Sequence, residues 1–554
     1  MSDSSPPEAT PYSSSWAEWT DPAVPEAFNP IELLVERHMQ GANRSKTAVV
    51  LDGKSYSYGD LHDYILRADA GLQELNLHPG SRLLLFATDS LEFISFWLAA
   101  IRRGITPAAV PDQSKAERLW YFIRDSGASA LYIDSGQLGK LSGRDFKDSE
   151  LHHLIVRRQD PSEVPTPQGI DVRWADDLLA CAPTARPAAK VHHQDVSYML
   201  YSGSTTGDPK GIVHLTHDFV YIPERQGAFW EYREQDVVYA TSKKYFTHGL
   251  WPGVLIPLYY GATVVMSSEP VTAGNLVRTI QRDRPTKLIT VPPVITAVVQ
   301  EVEREGSAPD FSSLELVVTA SEKIPDVTST KFREFFGLEL LDSIGSAEVT
   351  YEWIANRPAE SKRASLGKPV FGYRVKLVDE NGATVDQPGV PGEAWISSVT
   401  TCPFYWRKLE KTRASMNGEW FRTGDVLYFD DEGFFHFVGR GDDLFKSKGL
   451  WVSPVEIESA IVTHPSVLNA AVVRSLDASG LAVPKAFVQL DDGTEASEDL
   501  AQSIRDAVRN SLGGYKAPNE VVFLSELPRT PTGKLDRRAL ADLSEVESNG
   551  PIGQ

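Results

Sequence analysis

Residues 201–211 read Tyr201-Ser202-Gly203-Ser204-Thr205-Thr206-Gly207-Asp208-Pro209-Lys210-Gly211 and follow an apolar strand-like run at 198–201. Glycines here let the backbone turn tightly and approach an oxyanion closely. The hydroxyls and successive N–H groups can cradle phosphates, and Lys210 adds a cation. The competing reading is a solvated Gly/Ser loop; the Pro-Lys-Gly continuation and the preceding strand favour phosphate. A Walker A loop needs Gly-x-x-x-x-Gly-Lys-Ser/Thr, but Asp208 and Pro209 separate Gly207 from Lys210. A Rossmann Gly-x-Gly-x-x-Gly is absent from this stretch as well. Kinase-type and dehydrogenase-type readings both weaken.

Further polar strings follow in order: Gly345-Ser346-Ala347-Glu348, Trp420-Phe421-Arg422-Thr423-Gly424-Asp425, Gly439-Arg440-Gly441-Asp442-Asp443 and Pro531-Thr532-Gly533-Lys534-Leu535. Together with the loop, they resemble the ordered signatures of the adenylate-forming superfamily: acyl-CoA synthetases, peptide-synthetase adenylation domains and beetle luciferases. The resemblance covers roughly residues 28–545. Within the superfamily, several strings are most similar to the benzoate–CoA ligase group. These are Ser343-Ile344 before the second signature, Leu366-Gly367-Lys368-Pro369-Val370-Phe371-Gly372-Tyr373, Tyr405-Trp406 before Lys411-Thr412-Arg413, and Gly449-Leu450-Trp451-Val452-Ser453-Pro454.

The resemblance implies a two-step reaction. A carboxylate attacks the α-phosphate of ATP to give acyl-AMP and pyrophosphate; the thiol of coenzyme A then displaces AMP. Bringing two anions together calls for cations and oriented N–H groups. By resemblance, Lys534 bridges the acyl carboxylate and the α-phosphate, and Glu348 ligates Mg²⁺. With His248, which also reads as a gate residue of the superfamily, they make the expected catalytic set. The implied ATP site comprises Ser202, Gly203, Ser204, Thr205, Thr206, Gly207 and Lys210 at the phosphates. Ser321, Glu322, Ser343, Ile344, Gly345 and Ser346 lie around the adenine and acyl region, and Asp425 and Arg440 at the ribose. Asp442 is the implied hinge, about which a small C-terminal domain rotates between the half-reactions, and Gly449 then lines the pantetheine tunnel. An aromatic at Trp451 stands near where some relatives carry a phosphate-binding arginine.

The acyl pocket is implied at Phe246, Thr247, His248, Ser321 and Ile344. No Asp stands between Tyr245 and Leu250 to hold an amino acid's ammonium, which disfavours amino-acid activation. Phe246 and Ile344 offer apolar walls for a ring. Benzoate ligases carry Ala-Tyr where Thr247-His248 stand and Gly where Ser321 stands. The polar replacements point to a substituted benzoate, hydroxy or amino, or another small ring acid.

The expected function is therefore an ATP-dependent, AMP-forming ligase that converts an aromatic or small cyclic acid to its CoA thioester. Alternatives are transfer to a carrier protein in trans, or a silent acyl- or nucleotide-binding protein. The string from Pro528 to Gly533-Lys534 also resembles a lysine acetylation site, and acetylation there would remove the catalytic charge.

The elements that must position these groups are those of a large soluble chain. Its 554 residues correspond to about three or four domain-equivalents. Hydrophobic residues make up 42% and charged residues 23%, values of an ordinary globular protein. The 55 Lys+Arg against 75 Asp+Glu give a net charge of −20, the wrong sign for a nucleic-acid binder. Cys181 and Cys402 are too few for a disulfide framework; a cytoplasmic location fits. The N-terminus lacks the basic start and apolar stretch of a signal peptide. The apolar run 249–266 is broken by Pro252, Gly253, Pro257 and Gly261 and reads as core strand and helix, not as a membrane span. A homodimer is the base-rate expectation.

The expected fold is α/β. Residues 1–27 read as a flexible tail and 28–438 as a large N-terminal domain of α/β subdomains plus a β-rich subdomain from Val370. Residues 439–443 read as the hinge, 444–545 as a small α+β C-terminal domain made mobile by that hinge, and 546–554 as a tail. His152-His153 and His192-His193 read as surface loop pairs whose adjacent side chains point apart.

Overall fold

The computed structural model describes residues 19–159, 167–202, 208–447, 450–477, 480–491, 493–529 and 535–548. Two large twisted sheets dominate. The first has seven strands in the order Gly211–Leu215, Val196–Tyr201, Thr106–Ala109, Arg82–Phe86, Ala130–Asp134, His153–Arg157 and Asp171–Trp174. All its neighbours are parallel except the first pair. The second has nine strands, from Lys368–Pro369 through Glu352–Ala355, Leu340–Gly345, Leu316–Thr319, Lys287–Thr290, Val237–Ala240, Thr263–Met266 and Thr47–Leu51 to Lys54–Ser57. Its centre is parallel, and antiparallel hairpins close both ends.

The helices Tyr58–Glu74 and Leu91–Arg103 lie between the two sheets. Leu83 and Leu85 of the first sheet share one core with Val264 and Val318 of the second and with Leu61, Ile65, Phe96 and Leu98 of these helices. Leu84 and Phe86 face the other way, against Leu119 and Phe122. Likewise Val265 and Val317 turn to an outer layer with Ile280, Ile295 and Phe332. Strands buried on both faces read as continuous apolar runs, which is why residues 81–87 are legible as a strand without alternation.

Local signals set the ends. Ser57 accepts from the Asp60 N–H while Asp60 accepts from the Ser57 N–H, a reciprocal cap that starts the first helix. The second helix begins on the Ser90 hydroxyl and stops at Gly104 in the left-handed conformation. Beyond Val370, strands Arg374–Val378, Gly392–Ser397, Trp420–Phe429 and Phe435–Arg440 build the expected β-rich subdomain. The C-terminal part carries a three-stranded sheet, Val467–Leu476, Ala482–Leu490 and Glu520–Phe523, with helices Pro454–Ile461, Glu498–Leu512 and Arg537–Ser548.

Several expectations need correction. Residues 19–27, expected in a flexible tail, are anchored: Trp19 stacks on Phe371 at 4.9 Å, and Asp21 pairs with the buried Arg225. The last helix runs to Ser548, past the expected boundary at 545. The run 249–266 is core helix and strand as expected: helix through a π-turn at Trp251–Leu255 that absorbs Pro252, then the strand Thr263–Met266. His153 opens a strand and bonds Asp171 at 2.9 Å. The rings of His192 and His193 are 4.6 Å apart instead of diverging, because the short strand Val191–His192 ends between them. No helix among the described residues is long and apolar enough to cross a membrane.

Candidate active site

Strands of the second sheet end at the site, the usual place for a ligand in a parallel α/β sheet. After Leu316–Thr319 comes Ala320-Ser321-Glu322, where Ser321 holds φ +81. That conformation favours glycine, so a non-glycine residue here stores backbone strain of the kind found at functional turns. Beside it, Leu340–Gly345 delivers Ser343, Ile344 and Gly345. The Ser343 hydroxyl donates to the Thr319 carbonyl at 3.0 Å, tying the two strand ends together.

The turn after Gly345 carries Glu348. Its Oε1 accepts from the Tyr405 hydroxyl at 3.0 Å, and its backbone carbonyl from the Cys402 N–H at 2.7 Å. Lys210 lies over the Tyr405 ring, 4.4 Å from Nζ to the centroid. Lys210, Tyr405 and Glu348 thus form one cluster. Burial and the Glu348 charge hold the Tyr405 hydroxyl and the Cys402 thiol protonated, well above their ordinary pKa values. Among the described residues the buried hydroxyls of Ser202 and Ser346 have no hydrogen-bond partner.

The Glu348 turn is braced from beneath. Thr350 is fully buried at φ +80, an outlier for a β-branched residue. Its hydroxyl donates to Asp218 at 3.2 Å. Asp218 also accepts from the Tyr198 hydroxyl and lies 2.9 Å from His214 Nδ1, whose Nε2 meets the Ala347 carbonyl at 2.8 Å.

Asp425 and Arg440 face each other in register across the antiparallel pair Trp420–Phe429 and Phe435–Arg440. Arg440 donates to Asp425 at 2.8 Å and to the Thr423 carbonyl at 3.0 Å. Burial opposes the Arg440 charge, but Asp425, and then Glu348, hold its pKa above the ordinary value. Asp442 is exposed in the turn that follows, where the Asp443 and Leu444 N–H groups both return to the Arg440 carbonyl.

The C-terminal part meets this region through Arg537. It pairs with Glu458, reaches Asp443 at 3.5 Å, and donates to the Val472 carbonyl at 2.9 Å. Burial opposes its charge; Glu458, Asp443 and Glu322 stabilise it. Arg537 therefore ties the C-terminal sheet to the turn after Arg440 through Asp443. An antiparallel bridge between Arg529 and Leu535 flanks the Lys534 segment. Lys534 itself, Gly449, and Gly203, Ser204, Thr205, Thr206 and Gly207 lie outside the described residues.

Phe246 and Ile344 are half-buried against the main core. The stretch 244–250 is held by Lys244, a buried lysine that donates to the Ala240 and Ser242 carbonyls at 3.2 and 3.0 Å. Burial lowers its pKa, opposed by Asp89. Gly249 must be glycine, since a Cβ there would sit 2.3 Å from both the Ser242 and Lys243 carbonyl oxygens. Thr247, expected to read a substrate substituent, instead donates its hydroxyl to the Thr350 carbonyl. His248 is buried, with Nδ1 3.1 Å from the Ser242 hydroxyl and Nε2 3.9 Å from Glu352.

Sequence reasoning missed Glu352, Tyr405 and Thr350. Tyr405 was visible as part of the Tyr405-Trp406 string, but its contact with Glu348 was not. Glu352 has no local signal beyond being charged within an apolar run. It and Asp342 are both buried, with pKa values raised to about 8 and about 7. Burial is the chief cause, reinforced at Glu352 by Asp342. The charged or titratable groups facing this pair are His248 and Lys323. A folded-state pKa above the ordinary 4.5 means that the native chain keeps a proton that the unfolded chain releases. Stability from this group thus falls as pH rises between about 4.5 and about 8. Glu352→Gln removes that dependence. Urea unfolding at pH 5 and pH 8 is expected to show the variant gaining on wild type at the higher pH, with a slope up to about 1.4 kcal/mol per pH unit.

Residues 35–406 match the AMP-binding enzyme family and residues 456–534 the AMP-binding enzyme C-terminal domain. The chain is 34% identical to a benzoate–CoA ligase of Thauera aromatica, over 94% of this chain and 97% of the relative. It is 32% identical to a 4-hydroxybenzoate–CoA/benzoate–CoA ligase of Rhodopseudomonas palustris, over 93% and 94%. Its fold superposes on the crystal structure of the anthranilate CoA ligase AuaEII in complex with anthranoyl-AMP, with a TM-score of 0.88, 31% identity, and 95% and 99% of the two chains covered. With Glu348 in the turn after the parallel-sheet strand Leu340–Gly345, with Asp425 paired to Arg440 across the β-rich subdomain, and with a smaller C-terminal part joined through the turn after Arg440, the chain belongs to the AMP-binding enzyme family.

Proposed function

We propose that the protein is an ATP-dependent, AMP-forming ligase that joins an aromatic carboxylic acid to coenzyme A through an aryl-adenylate. The observation that carries this reading is the cluster of Lys210, Tyr405 and Glu348 together with the Asp425–Arg440 pair, in a chain similar over nearly its full length to aryl-CoA ligases.

The groups divide the work by charge. Lys210 and Arg440 offset the phosphate charge, and the buried hydroxyls of Ser202 and Ser346 suit anionic oxygens. Asp425 accepts from the ribose hydroxyls. Lys534 stabilises the charge that develops as the carboxylate attacks the α-phosphate. Glu348 would hold Mg²⁺. Among the described residues no three acid, histidine or cysteine side chains are grouped to hold a metal. One carboxylate completed by phosphate oxygens and water is an ordinary magnesium shell, and the ion would neutralise phosphate charge there. Tyr405, held as a neutral donor, fixes the orientation of Glu348.

After adenylation the C-terminal part turns about Asp442, taking Lys534 away and bringing Gly449 to the thiol channel. A short turn beside glycine can absorb the change in backbone angles. A cytoplasmic site of action and a homodimer complete the reading.

The test is AMP release with Mg²⁺-ATP and CoA across benzoate, aminobenzoates, hydroxybenzoates, acetate and a medium-chain fatty acid. A ring acid is expected to exceed acetate and the fatty acid by at least about tenfold in kcat/KM. Acetate or the fatty acid equalling every ring acid overturns the aryl reading. AMP or aryl-AMP formed from ring acids, without any CoA thioester, would assign the acceptor to a carrier protein.

A further inference from the structure

Glu352 is the one acidic side chain of the strand Glu352–Ala355, and it is only 2% exposed. Its placement follows from strand register. Glu352 pairs with Gly345 across the antiparallel ladder, so its side chain lies over the glycine of the second signature. Oε2 sits 2.6 Å from the point that a Gly345 Cβ would occupy; only glycine leaves the carboxyl its room. On another side, Oε1 is 3.9 Å from His248 Nε2. Two segments assigned to the acyl region, 244–250 and 343–346, therefore border one buried carboxyl.

Oε2 has no hydrogen-bond partner among the described residues. A buried acceptor left unmade is costly, and interiors rarely tolerate one without a role. Of the neighbouring hydroxyls, Thr247 donates to the Thr350 carbonyl, and Ser343, which donates to the Thr319 carbonyl, also lies against the Glu352 carboxyl and favours its charged form without satisfying Oε2.

We propose that the Glu352 carboxyl accepts a hydrogen bond from an amino or hydroxyl substituent on the ring of the acid substrate, making the enzyme selective for donor-substituted aryl acids over benzoate. This rests on the aryl-ligase reading above. It moves the specificity role from Thr247 to a residue on a different element, four positions after Glu348 and outside every signature string. A site built to bond a substituent rejects the analogue that lacks it, since the buried acceptor is then stranded.

The experiment measures kcat/KM for the three aminobenzoates, the three hydroxybenzoates, the three methylbenzoates and benzoate. Methyl matches the substituents in size but donates nothing. In wild type, one amino or hydroxy isomer is expected to exceed both benzoate and its methyl counterpart by about ten- to a hundredfold. The position and class of that isomer identify the substituent. Glu352→Leu should bring that ratio close to one, chiefly through KM of the donor-bearing acid. Glu352→Gln, which keeps an acceptor oxygen, should retain most of it. A methyl isomer matching the best donor-bearing acid in wild type overturns the proposal, as does a ratio unchanged in Glu352→Leu. If the leucine variant does not fold, the wild-type methyl comparison and the glutamine variant decide: absence of selectivity over methyl in wild type, or its loss in Glu352→Gln, refutes the proposal. Failure to turn over any ring acid would sink the aryl-ligase reading itself, a result distinct from ring turnover without selectivity.

Discussion

Lys534→Ala is expected to lower the rate of aryl-AMP formation by about 10²–10³, equivalent to about 3–4 kcal/mol of lost transition-state stabilisation. The argument is electrostatic. In the adenylation step a carboxylate and a phosphate converge, and negative charge builds on the oxygens between them. An ammonium placed there does more for the transition state than for either bound ground state, so the loss falls on kcat more than on KM for ATP. The flanking architecture supports a positioned lysine: Arg529 and Leu535 bridge, and Arg537 locks onto Glu458 and Asp443 beside the hinge. Single-turnover measurement of pyrophosphate release checks the first half-reaction. Supplying pre-formed aryl-AMP with CoA checks the second, which should keep a rate within about threefold of wild type if, as proposed, the C-terminal part has turned and carried the lysine away. Equal losses in both halves would point instead to a general structural role.

Asp69→Ala is expected to cost the large domain about 3–5 kcal/mol of stability, the usual consequence of stranding buried charge. Asp69 is fully buried on the helix Tyr58–Glu74. It accepts from Arg103 Nε and Nη2, both at 2.7 Å, and also pairs with Arg102. Both arginines lie on the neighbouring helix Leu91–Arg103, so a single carboxylate fastens the two helices that separate the sheets. Arg102 is 5% exposed and spends its other donors on Glu36 and the Arg186 carbonyl; it has no route to water when Asp69 is removed. Urea denaturation followed by tryptophan fluorescence should show the loss in the first transition. Replacing Asp69, Arg102 and Arg103 together by apolar residues of similar size should recover a large share, since no charge is then stranded. A triple variant no more stable than Asp69→Ala would show that packing, and not charge, dominates there.

Much of this was legible locally. Capping at Ser57 and Gly104, the doubly buried strand at 82–86 and the polar strings each report interactions within a few residues, and such interactions survive in the sequence as spacing. The helix-plus-strand character of 249–266 was legible, but the π-turn inside its helical part was not. Proline and glycine signal a break, yet a π-turn packed into the main core accommodates them. Thr247 misled in another way. Its hydroxyl looked available for substrate because its partner, the Thr350 carbonyl, is remote in sequence.

Residue types and spacing determined on their own that the chain is an α/β protein with a loop rich in glycine and hydroxyls at 201–211, a carboxylate at 348, an acidic residue at 425 and a lysine at 534, because those features depend on chain-local geometry and formal charge. Only the tertiary structure decided which side chains meet. Tyr405 reaches Glu348 because the strand pairing that joins Gly211 to Tyr201 also seats Tyr405 beside Ile212. Glu352 becomes a buried carboxyl with Oε2 unpartnered because its register partner is a glycine and because His248 arrives from a separate strand end. Burial and register are properties of pairs of distant segments, and the local sequence around either partner contains no record of the other.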